Sequence, residues 1–192
     1  MKKIKIVIWS GGMDSTLLIY DFAKRGYNVW AYSFENIVFN QRKMENESQA
    51  RKRFLQFAKS EGLIIHHRHI KVRSEVGIGS KGYAFPGISL CTVMPYFVNR
   101  CDVVFGFVRG DCFWRCSKDF IRAFYSMSRV FEYKNIRLLF PWKGFNKKQL
   151  GRRFIKSGIP EDCIWVCEMP EKRGDDFVKC GKCLPCRRNP LK

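Results

Sequence analysis

The sequence predicts an α/β fold, a parallel five-stranded sheet with helices on both faces, followed by a short cysteine-bearing C-terminal extension. Three observations predict it. Strand-like apolar runs alternate with amphipathic helical stretches from residue 4 to residue 158, a glycine pair ends the first run, and four cysteines crowd the end of the chain. Repeated β-α alternation needs crossover helices, and right-handed crossovers place those helices on both faces of one sheet.

The first strand is predicted over residues 4–9, Ile-Lys-Ile-Val-Ile-Trp, which alternates and then runs apolar as a buried parallel strand does. Gly11-Gly12 ends it. Residues 14–25 form a helix with Leu17, Leu18, Tyr20, Phe22 and Ala23 on its apolar face, stopped by Gly26. A second strand follows over 28–34, a basic amphipathic helix over 45–60, and a third strand over 63–72. Residues 73–88 hold Gly77, Gly79, Gly82 and Gly87 and predict a long loop, of the kind that is either a functional lid or disordered. A helix is expected over 88–99, a fourth strand over 102–108, a helix over 118–130, a fifth strand over 136–140 and a last helix over 147–157, stopped at Gly158. Residues 1–160 then form the α/β domain, and 161–192 form an extension that does not fold independently.

Ligands of such sheets sit at the carboxyl ends of the strands. That rule gathers Ser10 to Ser15, the 73–88 loop and residues 109–116 around one crevice. In Ser10-Gly11-Gly12-Met13-Asp14-Ser15 the glycines let backbone approach a ligand, and the free N–H groups opening the next helix favour an anion. Ser10 and Ser15 add hydroxyls for phosphate oxygens. Asp14 would repel phosphate directly, so it is assigned to cap the helix and to hold a Mg²⁺ bridging the phosphates. The string lacks the lysine of a Walker loop.

Cys180, Cys183 and Cys186 read C-G-K-C-L-P-C, and Cys167 stands upstream. Two C-x-x-C steps bring thiolates together on one ion, and the fourth cysteine completes a tetrahedral shell suited to structural Zn²⁺. Twelve residues separate Cys167 from Cys180, a hydrophilic loop with Pro170 and Gly174. Nine cysteines in all, an odd number, argue against a disulfide framework. Cys91, Cys101, Cys112, Cys116 and Cys163 are left as buried small hydrophobes or idle thiols.

The 192 residues carry a formal charge of +19, and residues 133–160 hold eight Lys/Arg with no Asp or Glu. Such a surface draws polyanions, nucleoside triphosphate or nucleic acid. No apolar run approaches a membrane span and no export signal precedes the first strand, so a cytoplasmic protein is expected. His66, His67 and His69 cannot share one ion, because strand alternation sends His67 and His69 to one face and His66 to the other.

Ser10 to Ser15 resembles the S-G-G-x-D-S loop of PP-loop ATP pyrophosphatases, an adenine nucleotide alpha hydrolase-like fold. Within these, the chain resembles the 7-cyano-7-deazaguanine synthase (QueC) family over most of its length. The likeness rests on that loop, Pro86-Gly87, Gly106 followed by Asp111, Phe120-Ile121, the Lys147 helix, and Trp165-x-Cys167 leading to C-G-K-C-L-P-C-R. It implies ATP bound by Ser10, Gly11, Gly12, Met13, Asp14, Ser15 and Thr16, catalytic roles for Asp14 and Lys147, and zinc on the four cysteines. It also implies adenylation of a deazapurine carboxylate, attack by ammonia to give the amide, a second activation to give the nitrile, and a homodimer.

Two stretches depart from the family pattern. Ile88-Ser89 replace an Arg-Asn, and Phe113-Trp114-Arg115-Cys116-Ser117 replaces a Tyr-Pro-Asp-Cys-Arg, so that an acid becomes Arg115. Arginine has donors only and cannot accept from a guanine-like base. Asp111 and Arg115 are the candidate substrate contacts, Arg115 for a carboxylate or phosphate. A diverged enzyme acting on a related carboxylate, an RNA-modifying PP-loop enzyme using Cys91 with Cys112 or Cys116, and a non-enzymatic zinc-stabilised nucleic-acid-binding module remain open alternatives.

Overall fold

A computed structural model describes residues 3–36, 41–72, 100–174, 176–188 and 191. The elements of the α/β part are β1 (Ile4–Ile8), α1 (Met13–Lys24), β2 (Val29–Asn36), α2 (Gln41–Ser60), β3 (Ile65–Val72), β4 (Cys101–Val104), α3 (Ser117–Val130), β5 (Arg137–Leu139) and α4 (Lys147–Ser157). Beyond them come a hairpin, β6 (Glu171–Arg173) and β7 (Asp176–Val178), and a single helical turn, α5 (Leu184–Arg187). The five-stranded sheet runs in the order β3-β2-β1-β4-β5. All four neighbouring pairs are parallel.

After β1 the chain winds outward through β2 and β3, then crosses back to place β4 on the other side of β1. Adjacent connections leave β1 and β4 in opposite directions, which opens a crevice at their carboxyl ends. Both faces of the sheet are buried. Val7, Trp9, Leu17, Val29, Phe54, Leu150 and Phe154 pack on the face covered by α1, α2 and α4. Ile6, Ile8, Tyr32, Val103, Phe105 and Phe124 pack on the α3 face. This is why β1 reads as a run: each successive side chain enters a different core.

Lys5 is the exception inside that run, and it is buried. In register, Lys5 of β1 lies beside Asp102 of β4, which lies beside Arg137 of β5. Asp102 is fully buried and receives Lys5 Nζ at 2.5 Å, Lys3 Nζ at 2.9 Å and Arg137 Nε at 2.9 Å. Phe22 and Tyr27 lie against the Lys5 ammonium at 5.2 and 4.5 Å. Burial by itself would raise the Asp102 pKa; the bonds from Arg137, Lys5 and Lys3 outweigh it and hold the carboxyl well below the usual range.

The predicted boundaries shift in physically intelligible ways. β4 stops at Val104 instead of 108, because Gly106 turns against the start of α1 and Val108 N–H donates to the Asp111 carboxylate at 2.8 Å. α2 begins four residues before its predicted start at 45. The stretch between Cys167 and Cys180, expected as a loop, contains the β6–β7 hairpin, which turns at Gly174 with φ +61°. Main-chain bonds make this hairpin and none of its side chains is fully buried, so no apolar alternation announced it. The predicted 73–88 loop, the 88–99 helix, Pro86-Gly87, Ile88-Ser89 and Cys91 lie outside the described residues.

The histidines sit as strand alternation required. His67 and His69 both meet Ser33 Oγ, at 2.8 and 2.9 Å, while His66 stacks on Trp30. Among the described residues no helix is long and apolar enough to cross a membrane.

Asp102→Ala leaves the buried Lys5 ammonium without its carboxylate and should cost about 3–5 kcal/mol in urea unfolding. Because the folded-state pKa is depressed, the wild-type contribution is complete above the unfolded-state pKa near 4 and is lost as pH falls below it. The acid limb of the stability profile should therefore flatten in the variant.

Candidate active site

The loop between β1 and α1 is held from below and from the side. Thr16, fully buried, accepts the Trp9 indole N–H at 2.9 Å, and its own N–H bonds Gly12 O at 3.1 Å, closing the first turn of α1. Gly11 adopts φ +85°, and a Cβ there would meet Arg51 Nη1 and the Glu47 carbonyl, each at 3.3 Å. Only glycine suits that position. Buried Arg51 reaches across from α2 to the Ser10 carbonyl at 3.3 Å. Ser10 Oγ lies 3.2 Å from Ser15 Oγ and accepts from Gly12 N–H at 3.3 Å.

Asp14 does not cap α1. Gly12 is the N-cap and makes no side-chain bond, because the Asp14 carboxylate is turned outward to Lys147. Lys147 is the first residue of α4, whose start is fixed by a reciprocal capping box between Asn146 and Gln149. Trp142 Nε1 donates to the Asp14 carbonyl at 3.0 Å, tying the segment before α4 to the same turn. Oδ1 of Asp14 is buried without a hydrogen-bond partner. Burial lifts the Asp14 pKa; Lys147 opposes this and nearby Asp111 adds to it. An orphaned carboxylate oxygen beside a second acid suits a hard divalent cation such as Mg²⁺.

Two clefts meet at this turn. The larger, of about 430 Å³, is lined by Gly12, Met13 and Asp14, by Lys43 and Glu47 of α2, by Arg109 and Asp111, by Lys147, and by Trp165, Glu168 and Arg188. The smaller, of about 340 Å³, is lined by Ile8, Ser15, Phe105, Gly106, Phe107, Cys112 and Phe113. Ser10, Gly12, Asp14 and Asp111 border both. The first is charged; the second is floored by aromatic rings, with Phe107 and Phe113 stacked at 4.0 Å.

Most of the expected loop residues are brought together. Ser10, Gly12, Met13 and Asp14 line the larger cleft with Lys147 and Asp111, and Ser15 faces the smaller one. Thr16 differs, its hydroxyl being spent on Trp9 beneath the loop. Arg115 also differs: it is exposed and lines neither cleft, because the 3₁₀ turn Cys112–Arg115 sends Phe113 inward. Arg109 stands in the cleft instead, its N–H bonded to Phe145 O at 2.9 Å. Trp114 donates to Val108 O at 2.7 Å and packs on Phe140.

A charged row on α2 escaped the reading of the chain. Lys43, Glu47 and Arg51, four residues apart on one face, run toward the loop. Lys43 pairs with Glu168 at 2.5 Å and with Glu47 at 3.6 Å. Alternating charge at i, i+4, i+8 was the available signal. Burial lifts the Glu47 pKa to about 7, against the pull of Lys43 and Arg51 and with a push from Glu168.

The four C-terminal sulfurs of Cys167, Cys180, Cys183 and Cys186 lie within 4.8 Å of one another. Thiolate–zinc bonds of about 2.3 Å give tetrahedral edges near that scale, so the donor set fits one zinc-like ion. Cys180 N–H donates to Cys167 Sγ and Cys183 N–H to Cys180 Sγ, both at 3.3 Å, so main-chain donors already face two of the sulfurs.

Comparison with known proteins bears on this arrangement. The family described as "Queuosine biosynthesis protein QueC" matches residues 4–82 and 88–190. The chain is 26% identical to the 7-cyano-7-deazaguanine synthase of Campylobacter jejuni (strain RM1221), covering 97% of this chain and 91% of that one. It is 25% identical to the same-named protein of Caldicellulosiruptor bescii, over 94% of this chain and 88% of that one. Among solved structures, a predicted subunit of tRNA methyltransferase from Methanocaldococcus jannaschii superposes with a TM-score of 0.50 at 22% identity, over 81% of this chain and 74% of that one. A 4-thiouridine synthetase in complex with RNA and bound ATP gives 0.52 at 15%, over 98% of this chain and 46% of that one. These structures share the fold.

Two variants probe the site. A Cβ at Gly106 would stand 3.1 Å from Ser15 N and 3.2 Å from Asp14 C, both backbone, so Gly106→Ala must push α1 from β4. It should cost about 1–3 kcal/mol of stability and weaken binding in the clefts, read by urea unfolding and calorimetry. For Glu47, the raised pKa means that the folded chain keeps its proton between about pH 4.5 and 7 while the unfolded chain releases it, so stability falls as pH rises through that window. Glu47→Gln should remove this slope from a series of unfolding midpoints.

Proposed function

The chain belongs to the QueC family of queuosine biosynthesis proteins, and from that premise we propose that it is an ATP-dependent ligase forming 7-cyano-7-deazaguanine from 7-carboxy-7-deazaguanine and ammonia. The observation that carries this reading is the meeting of the two clefts at Ser10, Gly12, Asp14 and Asp111. A nucleotide in the charged cleft and a planar carboxylate over the aromatic floor would then present α-phosphorus and carboxylate oxygen to each other across one turn of backbone.

In the first half-reaction the carboxylate oxygen attacks the α-phosphorus and pyrophosphate leaves. Ammonia then displaces AMP to give the amide. The amide oxygen then attacks the α-phosphorus of a second ATP with release of pyrophosphate, and loss of AMP and protons leaves the nitrile. The chain's part is placement and charge. Main-chain N–H groups at the start of α1 face the phosphates, and Lys147 and Arg109 meet charge that grows on the departing pyrophosphate. Lys147, shared between Asp14 and the cleft, keeps the carboxylate oriented until a ligand arrives. Mg²⁺ held by Asp14 would offset the repulsion between that carboxylate and the phosphates. Asp111, on the border of both clefts, is the acceptor best placed for N–H groups of the deazapurine, a part that Arg115 cannot take from its exposed position. Exposed Lys148, Arg152 and Lys156, four residues apart on α4, add a long-range attraction for anionic ligands.

Zinc on Cys167, Cys180, Cys183 and Cys186 has a structural part in this scheme, and residues 161–192 form an extension that depends on the α/β domain. Trp165 N–H bonds the Gly11 carbonyl at 3.0 Å, and Arg53 of α2 faces Asp162 at 3.7 Å, in support of that dependence.

Incubation with the carboxylate, ammonia, Mg²⁺ and ATP should give, by mass spectrometry, a product one water lighter than the amide. Pyrophosphate release without any deazapurine product would point to a different carboxylate, and no reaction at all would refute the assignment. Lys147→Ala should lower kcat by roughly a hundredfold. Cys183→Ser should reduce bound zinc from one per chain to none after dialysis; unchanged zinc would remove the cysteine assignment.

A further inference from the structure

We propose that the metal-held segment 165–188 is a working wall of the nucleotide cleft, carrying Arg188 to the bound anion, so that metal and nucleotide bind cooperatively. This rests on the nucleotide reading of the larger cleft given above.

Trp165, Val166, Glu168, Leu184, Pro185 and Arg188 all line that cleft, opposite the α1 turn. At its near end the segment is stitched to the loop itself. Trp165 N–H donates to the Gly11 carbonyl, and the Trp165 carbonyl faces Gly12, 3.8 Å from where a Cβ would stand. Trp165 Nε1 donates in turn to the Cys167 carbonyl at 2.8 Å, bracing the indole on a cysteine of the metal cluster. Next in the chain, Glu168 grips Lys43, the α2 residue that shares the cleft.

Beyond that point the segment is held by a few surface contacts, Lys179 with Glu161 at 2.9 Å and Arg42 of α2 over the Phe177 ring at 5.3 Å, and by Leu191, which packs against the α1-face core. Cys163, Ile164 and Cys167 are buried, but among the described residues 168–188 Cys186 alone is. The β6–β7 hairpin has three residues per strand and buries none of them fully. α5 is one turn of four residues, far below the length at which a helix holds itself. Leu184, Pro185 and Arg188 are nevertheless cleft residues, and they flank Cys186. The sulfur cluster ties Cys186, which stands among them, directly to Cys167, whose backbone is already anchored.

An ion on the cluster lowers the cost of ordering α5, and so presents Arg188 at the cleft before the nucleotide arrives. Linkage makes the effect reciprocal: whatever factor the metal adds to nucleotide affinity, the nucleotide must add to metal affinity. Arg188 is then a binding residue, and the cysteines are positioning residues acting through it.

The test is calorimetry with a non-hydrolysable ATP analogue and Mg²⁺ on zinc-replete protein and on protein stripped by a chelator, with circular dichroism on both. Stripping should weaken the analogue at least tenfold, and the analogue should tighten zinc by the same factor in competition with a chromophoric chelator. Zinc-replete Arg188→Ala should weaken the analogue about five- to twentyfold while keeping one zinc per chain. Equal affinity in folded stripped and replete protein overturns the proposal. If stripping unfolds the chain, the zinc-replete variant decides, and unchanged affinity in Arg188→Ala overturns it. No binding even to replete wild type sinks the nucleotide reading instead.

Discussion

The closeness of the α1 turn to the end of β4 is the constraint on which the rest depends. Gly106 stands where a methyl group would press on the backbone of Asp14 and Ser15. That contact brings the anion-facing start of α1 to the switch point of the sheet, and it also sets the border between the two clefts. A helix start even an ångström farther out would leave room for side chains between the clefts, and under the proposed function it would hold the two reactants apart. Trp9 with Thr16, and Trp142 with the Asp14 carbonyl, hold the same turn from beneath and from the side.

Charge is arranged at two levels around this frame. At the amino ends of the strands, Lys5, Asp102 and Arg137 sit side by side on three adjacent strands, and the one carboxylate is fully engaged by the cations around it. At the carboxyl ends, the cleft brings Lys43, Arg109, Lys147 and Arg188 together with Asp14, Glu47, Asp111 and Glu168. The first set is closed. The second leaves Asp14 Oδ1 buried without a hydrogen-bond partner, an exception among buried polar groups that the proposed ligand and cation would account for. The basic stretch 133–160 shows how local counting differs from three-dimensional charge: Arg137, Lys147 and Arg153 meet Asp102, Asp14 and Asp21, acids that lie far away in the chain.

Several features were legible because they are local. Alternation passing into an apolar run marks β1, Gly26 and Gly158 mark helix ends, and the cysteine spacing marks a cluster that could hold an ion. S-G-G-M-D-S announces an anion-facing turn because its chemistry lies in consecutive backbone atoms. What local pattern misses is anything whose partner is remote. The β6–β7 hairpin rests on main-chain pairing under charged side chains. The Lys43, Glu47, Arg51 row looks like any solvated helix face until Glu168 and the Ser10 carbonyl stand opposite it.

The order of residues along the chain was enough to specify the class of sheet, the glycine turn that opens α1 and the sulfur set, since each depends on neighbours in sequence or on a strict period. Which cations enter the cleft was settled by folding alone. Arg109 lines it and Arg115 does not, six residues apart, because one tight turn reverses the direction of a side chain. Lys147 reaches Asp14 across 133 residues of chain for the same reason: packing of α4 on α1, and no pattern in either segment, decides which charges meet.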